Sequence, residues 1–556
     1  MDEFVKENNQ PANESFEQQI RQKDNGRQTT DKNDGQQTQK RSDQPALPYP
    51  VLGAASVIYA LFYTFCLYRN ASGITYPFFV VGTLVYFFFC MKKFRVLSGS
   101  KAGLNGGQTE PEQADFPAGT RDNLTVIFYE LSISLLGISV CLTDDNKILW
   151  MTKTGIFLLT ITLTLRLFYR TKGWNFTKYL CAIGRSLMEL LHYIDTPFSD
   201  AASFFKERDK TVKNKNVKYI FIGILAAVPL LIVILALLLS ADAVFLDLFE
   251  RALGDIDLSS IILICLMALT VYVLFYSFVR GLITYRMPEK EEKEKRGEPV
   301  AAITFTSLIA VIYLIFCAIQ VVYLFMGKME LPDGMTWASY ARQGFFQLLF
   351  VCLINLVLVL VCLACFKESR ILKVILTAIS LMTYILIASS AYRMILYILN
   401  YYLTFLRLFV LWSLAVIAIL FVGVIISIFK GNFPLFGFCT AVVTVCYIGL
   451  AFAKPDYWVA KYDLAYVGVT YEIESADGQK EIVEGFDDYW YLSELSADAA
   501  PLLAQEKVRE MWGDTGALRL YYGKILKRSE DMNLRNFNFS RWKAKKSLED
   551  WYVQEE

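Results

Sequence analysis

The sequence predicts an all-α polytopic transmembrane helix bundle of about eleven spans, followed by a small, mostly helical C-terminal domain containing a β-hairpin. Three observations predict it. Of 556 residues, 55% are hydrophobic and only 20% charged, and mean hydropathy is +0.37. The apolar residues come in long blocks rather than at the 3.6-residue spacing of a soluble helix, and each block can cross a hydrocarbon core of about 30 Å. Beyond about Lys454 the blocks stop and the composition becomes that of a soluble domain. Such a composition excludes an ordinary globular enzyme.

Residues 1–46 are rich in Gln, Asn, Asp and Lys, with too few apolar residues to offset the entropy of ordering, and read as a disordered tail. Residues 51–453 form the bundle. Its spans fall near Val51–Tyr68, Ile74–Met91, Leu124–Leu142, Ile148–Phe168, Tyr219–Ser240, Ser259–Thr284, Ala301–Met326, Ala341–Phe366, Ile371–Tyr392, Leu403–Phe429 and Leu435–Ala453. In hydrocarbon every backbone amide must find its partner within the segment, so each span is a helix. Pro77 and Pro229 are expected kinks.

Orientation follows from the loops. The N-terminal tail and the even-numbered loops carry 31 Lys/Arg, counting Lys373 just inside the ninth span, against eight on the other side when Lys153, Arg342 and Arg407 at its span edges are counted too. The odd-numbered loops carry five: Arg69, Lys147, Arg251, Lys328 and Arg393. The positive-inside rule then places the N-terminus in the cytoplasm and, with eleven spans, the C-terminus outside.

The fourth loop is long enough to hold an element of its own, near 174–196. Phe176, Tyr179, Leu180, Ile183, Leu187, Leu190, Leu191 and Ile194 recur at helical spacing, with Lys178, Arg185, Glu189 and His192 between them. This pattern suits an amphipathic helix on the cytoplasmic membrane surface, and equally one packed under the bundle. A basic run from Lys206 to Lys218 follows, suited to anionic headgroups.

In the C-terminal domain, 454–556, the segments Val469–Glu474 and Lys480–Glu484 flank Asp477-Gly478, a hairpin signal. Helices are expected near Asp488–Leu495 continuing into Ala497–Trp512, at Leu518–Arg528 and at Ser540–Tyr552. Ser496 and Ser540 are the expected N-caps.

The chemistry-bearing residues are sparse. Ten of eleven cysteines lie in apolar blocks, so no disulfide framework is expected, and Cys362-Leu-Ala-Cys365 reads as packing. One histidine, His192, argues against a His-based metal site or a serine triad, and no cofactor is expected. Ser540-Arg-Trp-Lys543 and Lys153-Thr-Gly155 match fragments of penicillin-recognising motifs, but in reversed order and without their context. A net charge of +1 gives no reason to expect a nucleic-acid partner. The expected partner is the lipid bilayer.

Two groups of polar residues remain. Glu130, Gln320 and Asn355 sit deep in spans, where they either join helices or line a pathway. Arg342, Arg393 and Arg407 are expected at the outer ends of the eighth, ninth and tenth spans, flanked by Tyr340, Gln343, Tyr401 and Tyr402. Such a mouth suits a carboxylate, phosphate or lipid headgroup, or else anchors the interface. The acidic stretch Glu484, Asp487, Asp488, Glu494 and Asp498 is expected to pack over it as a lid.

The blocks SYARQGFFQLLFVCLIN from Ser339, YYLTFLRL from Tyr401, AKYDL from Ala460, DYWYLSELSADAAPLL from Asp488 and NFNFSRWKA from Asn536 resemble an uncharacterised bacterial membrane-protein family. The family is the domain of unknown function numbered 4173, with a relative numbered 4153. Two departures stand out: the family pattern has Gly-Leu-Thr where this chain has Tyr402-Leu403-Thr404, and RYNI where it has Lys461–Leu464. The resemblance implies a bacterial plasma-membrane location and no established activity. The expected role is a non-enzymatic sensor, scaffold or partner in the cell envelope, with an envelope protein as candidate partner of the C-terminal domain. The alternative is a transporter or lipid-handling protein using the Arg/Tyr mouth.

Overall fold

The structure, a computed structural model, describes residues 47–104, 120–169, 171, 173–208, 258–285, 297–322, 344–467, 470–474, 480–484, 488–512, 516–530 and 532–552, with scattered helical positions between 227 and 244. Among the described residues, ten helices are long and apolar enough to cross a membrane. They are α1 (Tyr49–Leu67), α2 (Thr75–Leu104), α3 (Thr120–Leu142), α4 (Asn146–Phe168), α7 (Leu258–Thr284), α8 (Pro299–Gln320), α9 (Phe345–Cys365), α10 (Arg370–Tyr401), α11 (Phe405–Phe429) and α12 (Leu435–Ala453). The expected fifth span, Tyr219–Ser240, and the N-terminal tail lie largely or wholly outside the described residues.

Local sequence sets the helix ends. Pro50, Pro299 and Pro455 sit in first turns, where a missing N–H costs nothing. Asp145 caps α4 by accepting from the Lys147 N–H, and Thr404 caps α11 through Arg407. Outward-facing Ile58, Val85, Leu314 and Val374 are all more than half exposed. An apolar surface of that extent is stable against hydrocarbon, not water.

The bundle has two cores. Helices α1–α4, α7 and α12 enclose the first, around Tyr59, Leu136, Leu163 and Tyr276. Helices α8–α11 enclose the second, around Val359, Ile379, Met394 and Phe421. Contacts between α11 and α12 join the two.

Between α4 and α7 run α5 (Phe176–His192) and α6 (Thr196–Arg208). The amphipathic segment is therefore a helix packed beneath the bundle on α7, α4 and α12. Tyr179 stacks on Phe436 at 4.0 Å, and the Arg166 guanidinium lies 5.3 Å from both Tyr129 and Tyr179. Its other apolar edge, Leu180, Met188 and Leu191, remains exposed.

The C-terminal domain begins with α13 (Pro455–Leu464) and continues through α14 (Tyr489–Ser493), α15 (Ala500–Leu503), α16 (Glu506–Trp512), α17 (Gly516–Glu530) and α18 (Phe539–Tyr552). Its own core holds Leu492, Leu503, Tyr521, Tyr522 and Leu548. Segments Thr470–Glu474 and Lys480–Glu484 pair antiparallel, Thr470 opposite Glu484, while the turn expected at Asp477-Gly478 lies outside the described residues. The long helix expected over 497–512 is broken instead: Pro501 starts α15, and Asp498 just before it is drawn into contacts with the bundle. The expected caps also differ. Asn538, not Ser540, accepts the first N–H groups of α18, and the Ser540 hydroxyl donates to Asp498 at 2.7 Å. The Ser496 hydroxyl is buried and has no hydrogen-bond partner among the described residues.

Candidate functional site

The most constrained point of the molecule is the break between α10 and α11. Tyr402 has φ 64° and ψ −172°, a region natural to glycine and costly for any side chain. Four hydrogen bonds hold it there. Arg407 donates to the Tyr401 and Tyr402 carbonyls, and its guanidinium lies 4.2 Å from the Tyr397 ring. The Leu403 N–H donates to Asp463 Oδ1 at 2.9 Å, and the Phe405 N–H to the Tyr491 hydroxyl at 3.0 Å. Two of the four come from the C-terminal domain.

Asp463 is fully buried, and its second oxygen has no hydrogen-bond partner among the described residues. Burial pushes its carboxyl up to about 7, against the opposing pull of the Leu403 N–H and of Arg407.

A second set of contacts fastens the domain over the α3–α4 loop, Thr143-Asp144-Asp145. Asp144 accepts from Arg541 Nε and pairs with its terminal nitrogen, both at 2.7 Å, and with Arg528 at 3.5 Å. Burial nevertheless raises the Asp144 carboxyl above its ordinary value. Asp498 accepts from Thr143 and Ser540 and pairs with Lys454 at 3.0 Å. Asp145 is pushed up to about 6, by burial first and by the neighbouring Asp456 next. The α1–α2 loop is tied in as well: the Ile74 N–H donates to the Phe537 carbonyl at 2.8 Å, and Asn538 donates to the Ser72 and Thr143 carbonyls at 3.0 Å.

Only part of the expected mouth falls among the described residues. Arg342, Tyr340 and Gln343 lie outside the described residues. Arg393 lies two turns inside α10, nine-tenths buried, with one guanidinium nitrogen 3.3 Å from Gln320 Oε1 and another against Gly344, where a Cβ would come within 2.7 Å of it. Gln320 also accepts from Ser389 at 2.6 Å. Arg407 is engaged by backbone carbonyls as described. Of the acids expected to form the lid, Asp498 pairs with Lys454 at 3.0 Å and Asp488 caps α14 through the Tyr491 N–H. Asp463, from α13, is a carboxylate within electrostatic reach of Arg407.

Asn355 is fully buried in the second core, accepting from Tyr313 at 2.7 Å and donating to Thr383 at 3.0 Å. Glu130 lies half-buried on α3, beside the first core. The three deep polar residues are therefore divided between the two cores. Sequence reasoning missed Asp144, Asp463 and Tyr491. A signal existed for the first: two adjacent carboxylates in a tight loop between apolar spans need partners from elsewhere.

Among the described residues, no group of three His, Cys, Asp or Glu side chains is arranged to hold a metal ion. What these contacts can do is hold a strained backbone, pair charges across two domains and titrate.

Ten apolar helices and a docked domain define a multi-pass integral membrane protein. The chain belongs to the family described as Domain of unknown function (DUF4153), whose model matches residues 131–506, about two thirds of the length. That is the family named above as a relative. Comparison with curated proteins and with solved structures gives no significant match.

Proposed function

We propose that the protein is a non-enzymatic sensor or scaffold of the bacterial plasma membrane, in which the C-terminal domain meets a signal or an envelope partner and passes the event to the bundle through the α10–α11 break. The observation that carries this is the strained Tyr402 backbone, pinned by Asp463 and Tyr491 of the C-terminal domain. Strain of this kind persists only where surrounding contacts over-determine it, and it gathers at switching positions. Hydrogen-exchange mass spectrometry on the full chain tests the coupling. Asp463→Ala with Tyr491→Phe is expected to speed exchange across 396–408 and leave α8 and α9 unchanged; unchanged exchange at the break removes the reading. For the partner, a photocrosslinker at the exposed Trp490 is expected to give a discrete adduct on intact cells.

The setting carries over from the loop charges: N-terminus in the cytoplasm, C-terminal domain outside. Kinship to the family numbered 4173 rests on the sequence blocks quoted above. A transporter or lipid-handling role through Arg342, Arg393, Arg407, Tyr340 and Gln343 is the second reading. It is favoured by the nearly buried guanidinium of Arg393 lying against Gly344, at the entry of the segment that carries Arg342.

A further inference from the structure

A cleft of about 540 Å³ opens toward the membrane between α1, α2 and α3, lined by Phe62, Phe65, Phe78, Val81 and Ile138. Its volume falls within the range of small-molecule pockets. A glycine shapes one wall: a Cβ on Gly82 would come within 2.2 Å of the Phe62 ring, so only glycine lets that ring lie back against α2. Water gains nothing in a cleft with so little to hydrogen-bond, so the natural filling on a membrane face is hydrocarbon.

The cleft has one polar end, and the C-terminal domain supplies it. The Arg535 carbonyl accepts from Asn70 at 3.0 Å and from Thr75 at 3.3 Å, and Thr75 lines the cleft. The Arg535 guanidinium reaches the Phe65 carbonyl at 3.4 Å through one nitrogen. Among the described residues no carboxylate pairs with it, so its remaining N–H groups are available to an anion. Arg69, exposed on the α1–α2 loop beside Asn70, adds a second positive charge. The segment between α17 and α18, which carries Arg535, bears the marks of an interfacial one. Leu534 is 91% exposed, and Phe539 and Trp542, at the start of α18, are 43% and 46% exposed. Aromatic and apolar side chains so exposed sit at headgroup depth, where one end is dry and the other wet.

We propose that this cleft, closed at its polar end by Arg535, binds one anionic phospholipid from the leaflet on the C-terminal-domain side. An acyl chain lies along Phe62, Phe65 and Ile138, and the phosphate meets the Arg535 guanidinium. Fork-shaped guanidinium donors match phosphate oxygens better than any other side chain. The site is independent of the α10–α11 break and does not rest on the sensor reading.

The test is native mass spectrometry of the purified full chain, titrated with phosphatidylglycerol against phosphatidylcholine. Wild type is expected to retain one phosphatidylglycerol with at least about tenfold preference, a difference of about 1.4 kcal/mol. Arg535→Gln is expected to bring the preference near unity, and Arg535→Lys to keep most of it. Ser134→Phe, which fills the cleft from α3, is expected to abolish retention of both lipids. Equal retention of the two lipids by wild type, a comparison that needs no variant, overturns the proposal. So does a preference unchanged in Arg535→Gln, or full competition by inorganic phosphate with Ser134→Phe indifferent, which would mark a soluble anion site.

Discussion

Asp463 accepts the backbone N–H of Leu403 at 2.9 Å, so a carboxylate of the C-terminal domain holds the peptide that joins two of the longest helices of the bundle. The bond satisfies an amide exposed by the helix break, at the expense of burying a charge whose other oxygen has no partner among the described residues. Contact and penalty are inseparable there, and the junction inherits a dependence on pH.

Its sign follows from the folded carboxyl lying near 7 against an unfolded value of about 3.9. Between those values the folded state holds a proton that the unfolded state has released. The contribution of Asp463 to domain docking is therefore fully present below about pH 4 and is lost as pH rises through 7. Asp145, raised to about 6, adds to the same trend over the lower part of that window. Asp463→Asn keeps an oxygen for the Leu403 N–H and removes the charge. It should flatten most of the fall between pH 5 and 8, read as the midpoint of domain proteolysis against pH. An unaltered pH profile would mean that Asp463 is not the titrating group.

The Asp144–Arg541 pair should respond asymmetrically. Asp144 is almost wholly buried, whereas Arg541 keeps about a quarter of its side-chain surface. Arg541→Ala leaves the buried carboxylate with Arg528 alone, at 3.5 Å, and is expected to cost about 3 kcal/mol of docking stability, the low end for a broken buried pair. Asp144→Ala leaves an arginine that can turn to water, at a cost nearer 1–2 kcal/mol. Thermal unfolding of the two variants side by side checks the order; equal losses would mean that the pair is solvated in solution.

How much of this was legible is uneven, for physical reasons. The spans were legible because hydrocarbon imposes one rule on every residue of a block. Where a charge broke the rule, the boundary slipped: the ninth span was drawn to Tyr392 because Arg393 looked like an end, yet α10 runs to Tyr401 with Gln320 and Ser389 meeting the polar groups within it. Asp463 and Tyr491 lay inside recognisable blocks, but nothing along the chain tells that they reach the peptides of Leu403 and Phe405, some 60 and 86 residues earlier. Nor does the sequence tell that Asp498 meets Lys454 and that Asp488 caps α14. Charge counts pair acids with bases by sign, and folding pairs them by position.

Docking also fixes a parity. The α3–α4 and α10–α11 loops both bond to the C-terminal domain and so share a membrane face. Five described spans run between them (α4, α7, α8, α9 and α10), and an odd number would leave the loops on opposite faces. One further crossing between Arg208 and Leu258 is thus expected, where the sequence places Tyr219–Ser240. In a Cys181→Ser background, an impermeant maleimide should label Lys524→Cys and Asp255→Cys on intact cells, and Lys206→Cys only after lysis. Labelling of Asp255→Cys only after lysis would remove the extra crossing.

Asn355 offers a test of whether the deep polar residues are joints or a pathway. It bridges Tyr313 on α8 and Thr383 on α10 from its place on α9. As a joint, Asn355→Leu should cost roughly 0.6–1.7 kcal/mol, the range of interhelical hydrogen bonds in bilayers. A loss measured in bicelles well outside that range, in either direction, would argue against a simple bridge.

The last prediction isolates the strain at Tyr402. The backbone observed here, φ 64° with ψ −172°, is one that glycine adopts freely. Tyr402 also contributes its ring, 5.6 Å from that of Tyr466, so replacing it changes two terms at once. Comparing two replacements separates them. Tyr402→Ala and Tyr402→Gly both delete the ring, but only alanine keeps a Cβ in the costly conformation. The glycine variant should therefore be the more stable of the two by about 1–3 kcal/mol, the cost of holding a side chain in that region, less the extra unfolded-state entropy of glycine, about 0.4–1 kcal/mol. Chemical unfolding of the full chain in detergent reads the difference. If alanine proves equal to glycine or better, the junction relaxes on losing the ring. Tyr402 would then be kept for its contact with Tyr466 and not held against its own backbone preference by Asp463, Tyr491 and Arg407.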